Sequence, residues 1–179
     1  MQRNHRYTIP KALRQVTLWV HPEGRVIGSL FLSFHTKNGP GVEDPCAVLN
    51  EAGPFVVLQR TEPDELRFYN KRAIVRVEYQ DEETPIEEGT GIKTLHCQVS
   101  LMDGSLIVGV VRYPLPPSHE RLYDYLNLSK ERFAKLYLED GSICLVNKAY
   151  IVCVSHLTAP DEMEPRWLPE AVEISGTSV

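Results

Sequence analysis

Asn70-Lys71-Arg72-Ala73-Ile74-Val75-Arg76-Val77 and Asn147-Lys148-Ala149-Tyr150-Ile151-Val152-Cys153-Val154 share the pattern Asn-Lys-x-x-Ile-Val-x-Val at an offset of 77 residues. Outward from it, Leu49-Asn50 and Leu126-Asn127 keep that offset, and Phe55/Phe133 and Leu58/Leu136 follow one residue out of step. Gly24 with Gly28 and Gly104 with Gly109 open the two copies, at offsets of 80 and 81. Identical anchors separated by small drifts are what loop insertions leave in two copies of one fold, so the chain reads as a duplication.

The second copy is the clearer. Residues 96–102 alternate loosely and end at Asp103-Gly104, a strong hairpin dipeptide, and 106–113 is apolar and β-branched enough to return as a strand. Pro114, Pro116 and Pro117 stop it. Leu122, Tyr125 and Leu126 then recur at helical spacing within 119–128. Residues 133–138, 143–146 and 150–154 give three further strands, so the unit is β-β-α-β-β-β. The first copy repeats it with strands at 16–20, 25–32, 55–60, 65–69 and 74–79 and a helix at 44–52. Its extra length falls in the Gly/Pro segment 34–42, expected to be a surface loop. The expected fold is mainly β: two tandem small five-stranded barrels, each with a short helix between strands 2 and 3.

This divides the chain into an N-terminal arm (1–13), repeat one (14–80), an acidic linker (81–92), repeat two (93–157) and a flexible acidic tail (158–179). Units of about 65 residues lie near the lower limit for burying a core, so the halves are expected to pack on each other. No apolar run approaches the roughly 20 residues that span a bilayer, and 1–7 lacks the apolar core of a secretory signal, so a cytoplasmic location without membrane insertion is expected. Cys46, Cys97, Cys144 and Cys153 form no Cys-x-x-Cys pair and have no His at zinc spacing. They read as reduced, buried apolar residues, although Cys144 and Cys153 would face each other if 143–146 and 150–154 were a tight hairpin.

Repeat two resembles the Sm-like family in Leu101, Asp103 and Gly104 of its opening hairpin, in Gly109, and in Leu126-Asn127-Leu128. The resemblance implies an SH3-like or Sm-like barrel, and many Sm-like proteins form rings that bind RNA. The stretch from Gly104 to Asn127 is longer than that family's spacing, and Asn147-Lys148 stands where Sm proteins carry a late glycine. Both copies are also similar to small bacterial domains with a late Val-Asn-Lys-x-x-Ile-Val pattern after a short Leu-Asn helix, which bring no assigned chemistry.

No nucleophile elbow, phosphate loop or His-Glu-x-x-His is present, and the six histidines are scattered without ligand spacing. The chain is therefore read as non-enzymatic, with no catalytic residue, metal or cofactor. Asn70 and Asn147 suit turns between strands 4 and 5, through local hydrogen bonds or left-handed backbone angles. The same turns would present Lys71 and Lys148 to one partner. Exposed sheet edges, the 34–42 segment and acidic flexible stretches fit an adaptor or scaffold acting through protein–protein interaction or self-assembly as a homo-oligomer. Its candidate contacts are Phe34, His35, Lys71, Tyr113, Leu122, Tyr123, Tyr125 and Lys148, with Trp167-Leu168 as a docking peptide. The alternative is an Sm-like RNA-binding protein using Arg121, Lys130, Arg132 and Lys135 beside Tyr123 or Tyr125. A net charge of −5 weighs against it, as neither repeat has the basic excess that phosphate binding favours.

Overall fold

A computed structural model describes residues 11–36, 39–80, 93–113, 122–128 and 130–157. Repeat one supplies β1 (Lys11–Val20), β2 (Gly24–Ser33), the short strands β3 (His35–Thr36) and β4 (Gly39–Pro40), α1 (Pro45–Asn50), β5 (Phe55–Arg60), β6 (Leu66–Asn70) and β7 (Ile74–Gln80). Repeat two supplies β8 (Lys93–Leu101), β9 (Leu106–Tyr113), α2 (Leu122–Leu128), β10 (Phe133–Tyr137), β11 (Ser142–Asn147), a 3-10 turn (Lys148–Tyr150) and β12 (Ile151–His156). The segment expected to be a plain loop forms the β3–β4 ribbon. The expected linker, tail and docking peptide and residues 1–10 of the expected arm lie outside the described residues, and residues 11–13 of that arm belong to β1.

Local chemistry sets these elements. Gly24, Gly104 and Gly141 turn the hairpins at φ values of 89°, 83° and 80°, a region that side chains disfavour. Asp44 caps α1 by accepting from Cys46 N–H at 2.8 Å, with Pro45 in the first turn, where its missing N–H is harmless. Gly28 and Gly109, the anchors in the second strand of each repeat, sit where the third strand presses against them. A Cβ would stand 2.4 Å from Gln59 O at Gly28 and 2.9 Å from Tyr137 O at Gly109.

The order β12-β8-β9-β10-β11-β7-β1-β2-β5-β6 is one antiparallel sheet of ten strands. Each half follows the same path, with its fifth strand beside its first and its fourth at the far edge. The expectation of two tandem five-stranded barrels is corrected here to one continuous sheet. Instead of closing on β12, the fourth strand of repeat two, β11, pairs with the fifth strand of repeat one, β7, from Ser142↔Gln80 to Val146↔Arg76. That ladder satisfies two edges at once. It also separates Cys144 from Cys153, since β11 and β12 are not neighbours, and all four cysteines are free.

Two apolar clusters form, and each draws on the other half. Phe133, Ile143 and Leu145 of repeat two join Leu18, Leu49, Ile74, Val77 and Tyr79 of repeat one. Val75 of repeat one joins Val99, Tyr125, Leu136 and Val146 of repeat two. Val75 reaches across because it occupies a bulge: Trp19 pairs with Arg76 and Val20 with Ile74, leaving Val75 unmatched. Val152 occupies the matching bulge in β12, between Ile151↔Leu101 and Cys153↔Ser100. Among the described residues no helix is long and apolar enough to cross a membrane.

Candidate interaction surfaces

The duplicated motifs meet at the β7–β11 junction. Asn147, fully buried at the end of β11, donates through Nδ2 to the carbonyls of Ile74 at 2.8 Å and Lys71 at 3.2 Å in repeat one. Its Oδ1 accepts from Ala149 N–H at 3.1 Å, which holds its own turn. Asn50, ending α1, accepts from Phe133 N–H at 2.8 Å and donates to Phe133 O at 3.3 Å, so one amide grips both backbone groups of the residue opening β10. Arg76 lies 3.9 Å over the Trp19 ring, pairs with Glu78 at 3.1 Å, and reaches the β8–β9 turn through Ser105 Oγ at 2.8 Å.

Among the described residues two ion pairs link the halves, Arg76 to Asp103 at 3.5 Å and Lys135 to Asp44. Lys135 Nζ lies 2.7 Å from Asp44 Oδ2, and Tyr79 OH donates to Asp44 Oδ1 at 2.9 Å. Burial works to raise the Asp44 carboxyl, but Lys135, the Cys46 N–H and Tyr79 together outweigh it and hold the pKa below the usual value. Burial likewise works to lower the Lys135 ammonium, and Asp44 overrides it.

Several expected contacts are differently employed. Lys71 is only 2% exposed and is no contact point: its ammonium donates to Val48 O at 2.7 Å and Glu51 O at 3.1 Å, closing the end of α1, and burial lowers its pKa. Lys148 Nζ bonds Leu126 O at 3.1 Å in the same way. Tyr125 is buried, its hydroxyl accepting from Lys135 N–H at 3.0 Å and reaching Lys135 O at 3.4 Å, so it offers no face to a partner. Leu122 packs half-buried on the repeat-two core. Tyr123 and Phe34 are exposed. His35 and Tyr113 lie in β3 and β9, and nothing further is described of their side chains. Trp167, Leu168 and Arg121 lie outside the described residues. Asn70 and Asn147 serve their turns through side-chain bonds rather than left-handed angles, as no described residue other than glycine has a positive φ.

The sheet ends carry apolar side chains that the sequence reading passed over. On β6 and its neighbour β5, Phe55 is 56%, Leu66 56% and Phe68 70% exposed; on β12, Val152 is 62% exposed. Leu66 and Phe68 fall on one face by their two-residue spacing, and Phe68 stands opposite Val57. The legible signal was that both Leu66-x-Phe68 and the interleaved Arg67 and Tyr69 suit a strand with two occupied faces. Asn70 is exposed, and beyond the bond from Arg72 N–H to its Oδ1 at 2.9 Å its amide has no partner among the described residues.

A cleft of about 600 Å³ opens beside the junction, lined by Asn50, Glu51, Arg72, Lys130, Arg132 and Lys148 among others. Arg132 Nη1 is buried there without a hydrogen-bond partner. Lys130 and Arg132 are thus brought together, while Lys135 is held apart by Asp44. The chain was also compared with known protein families, curated proteins and solved structures, and none matches it.

Proposed function

We propose that this chain is a non-enzymatic scaffold that works through its two sheet ends, by strand addition to a protein partner. The observation that carries the reading is the exposure of Leu66 and Phe68 on β6, with Phe55 beside them on β5, and of Val152 on β12, since β6 and β12 each have one unpaired side among the described residues. Unpaired strands with apolar faces template further strands, and proteins that do not use them blunt them with charge or proline. In this reading each half is a small Sm-like or SH3-like unit, supported by the identical strand order, the paired bulges and the paired second-strand glycines. The test is capture of partners by the tagged full-length chain and by Phe68→Asp. Binding that ignores the substitution would count against the edges.

A second reading has its own observation. The cleft gathers Arg72, Lys130, Arg132 and Lys148 around the unsatisfied Arg132 Nη1, a setting that a phosphate of single-stranded RNA would complete. Glu51 in the same wall opposes it. Binding of a mixed-sequence RNA that falls steeply with salt and is lost in Arg132→Ala would favour it, and salt-independent or absent binding would remove it.

A further inference from the structure

The ends of the sheet have a template inside the molecule. Carrying the 77-residue offset across, β6 corresponds to β11 and β7 to β12, so the β7–β11 junction joins the same two kinds of edge that β6 and β12 leave open among the described residues. Side chains follow the same rule. Leu66 and Phe68 occupy the positions of Ile143 and Leu145, and Phe55, opposite Asn70, that of Phe133, opposite Asn147. Val152 occupies the position of Val75 in the matching bulge. Ile143, Leu145 and Phe133 are fully buried and Val75 is 4% exposed, whereas their four counterparts are 56–70% exposed. The polar clasps repeat as well. Asn147 reaches the carbonyls of Lys71 and Ile74; its counterpart Asn70 has an unused amide, and the matching carbonyls belong to Lys148 and Ile151. Asn50 grips Phe133, while its counterpart Asn127 is exposed and donates to Tyr123 O within its own helix.

We infer that the occupant of each sheet end is a second copy of this chain, β6 of one copy pairing antiparallel with β12 of the next in the register of the internal junction. This rests on the proposed use of the sheet ends and names the partner. The register places Leu66 opposite His156, Phe68 opposite Val154 and Tyr69 opposite Cys153 of the second copy. Asn70 donates to the Lys148 and Ile151 carbonyls across the interface, and Asn127 of the second copy grips the Phe55 backbone. The contact is head to tail, so every added copy leaves one β6 and one β12 open, and growth ends only when a ring closes. Neither ion pair is reproduced, because Val57 stands at the position of Lys135, Arg121 at that of Asp44 and Cys153 at that of Arg76. Association is therefore apolar and hydrogen-bonded, and insensitive to salt.

The test is sedimentation of the RNase-treated full-length chain, wild type, Phe68→Asp and Val152→Asp, with circular dichroism and thermal melting to verify that each variant is folded. Both substituted residues are exposed in the single chain, so the fold tolerates them. The wild type is expected to sediment above its 20.4 kDa chain mass at low and high salt, and each variant as a monomer. An equimolar mixture is expected to form a dimer and nothing larger, because Phe68→Asp keeps an intact β12 end and Val152→Asp an intact β6 end. In a Cys153→Ser background, Phe68→Cys with Val154→Cys is expected to give a disulfide-linked ladder on oxidation, reporting the register. A monomeric wild type, a dimer that survives in one variant alone, or a mixture that stays monomeric would each overturn the inference. A monomeric wild type whose partner binding is still abolished by Phe68→Asp would refute self-pairing and leave the edge reading standing. Partner binding indifferent to both substitutions would end both.

Discussion

Replacing Asn147 and Asn70 by alanine, one at a time, compares the same motif residue in a closed junction and at an open edge. Asn147 is fully buried, and its loss strands the carbonyls of Ile74 and Lys71, bonded at 2.8 and 3.2 Å, together with the turn N–H of Ala149. A buried polar group left unsatisfied costs about 1–3 kcal/mol, and carbonyls keep part of their satisfaction through other bonds, so Asn147→Ala should cost about 3 kcal/mol. Asn70 is exposed and holds only the Arg72 N–H, which water can replace, so Asn70→Ala should cost about 0.5 kcal/mol. In a chain of this size each kcal/mol moves Tm by about 2–4 °C. The two variants should therefore differ by about 5–10 °C. Both belong in a Phe68→Asp background, so that association does not stabilise one of them. Urea unfolding followed by circular dichroism, with slopes compared, gives the free energies. Equal losses at the two positions would refute the assignment of Asn147 to the junction.

Phe133→Ala should cost about 3–5 kcal/mol as a core truncation, while Phe55→Ala in the same monomeric background should cost under about 1, which chemical unfolding resolves. A carboxylate whose folded pKa is depressed contributes stability above its ordinary value, and that contribution is lost as pH falls through the folded value. The Asp44–Lys135 pair should thus steepen acid unfolding below pH 3.8, and Lys135→Met should flatten that limb in a pH series of melts. Burial raises the Cys97 and Cys144 thiols to about 11 and about 12, so their contribution is complete below the ordinary thiol value of 9.0 and declines as pH rises through it. At neutral pH iodoacetamide should modify exposed Cys153 first and reach Cys97 and Cys144 only on unfolding, as peptide mapping would report.

Strand positions were readable because they rest on short-range chemistry. Asp103-Gly104 and Glu139-Asp140-Gly141 announce turns, and the loose alternation of 96–102 and the apolar, β-branched run 106–113 announce strands whatever lies beside them. What lies beside them was not readable. Whether β11 closes on its own repeat or pairs with β7 depends on which edge is nearer and better filled, and Ile143-Cys144-Leu145-Val146 reads alike in either case. The fate of the candidate contacts was hidden for the same reason. Lys71 and Tyr125 carry polar tips, and only the carbonyls of Val48, Glu51 and Lys135 folded above them reveal that those tips face inward. The repeated pattern was legible, but not that Ile143 and Leu145 are buried where Leu66 and Phe68 at the matching positions are exposed.

The exchange of side chains between the two cores changes what a repeat is. Phe133, Ile143 and Leu145 are encoded in the second copy but belong energetically to the first, and Val75 is the reverse loan. Neither half therefore contains a complete interior. Leu145 shares its cluster with Val77 and Leu18, so a change at Leu145 is felt first by residues of the other half. Freedom to diverge remains where nothing is lent, as in the excursion of repeat one that carries β3 and β4.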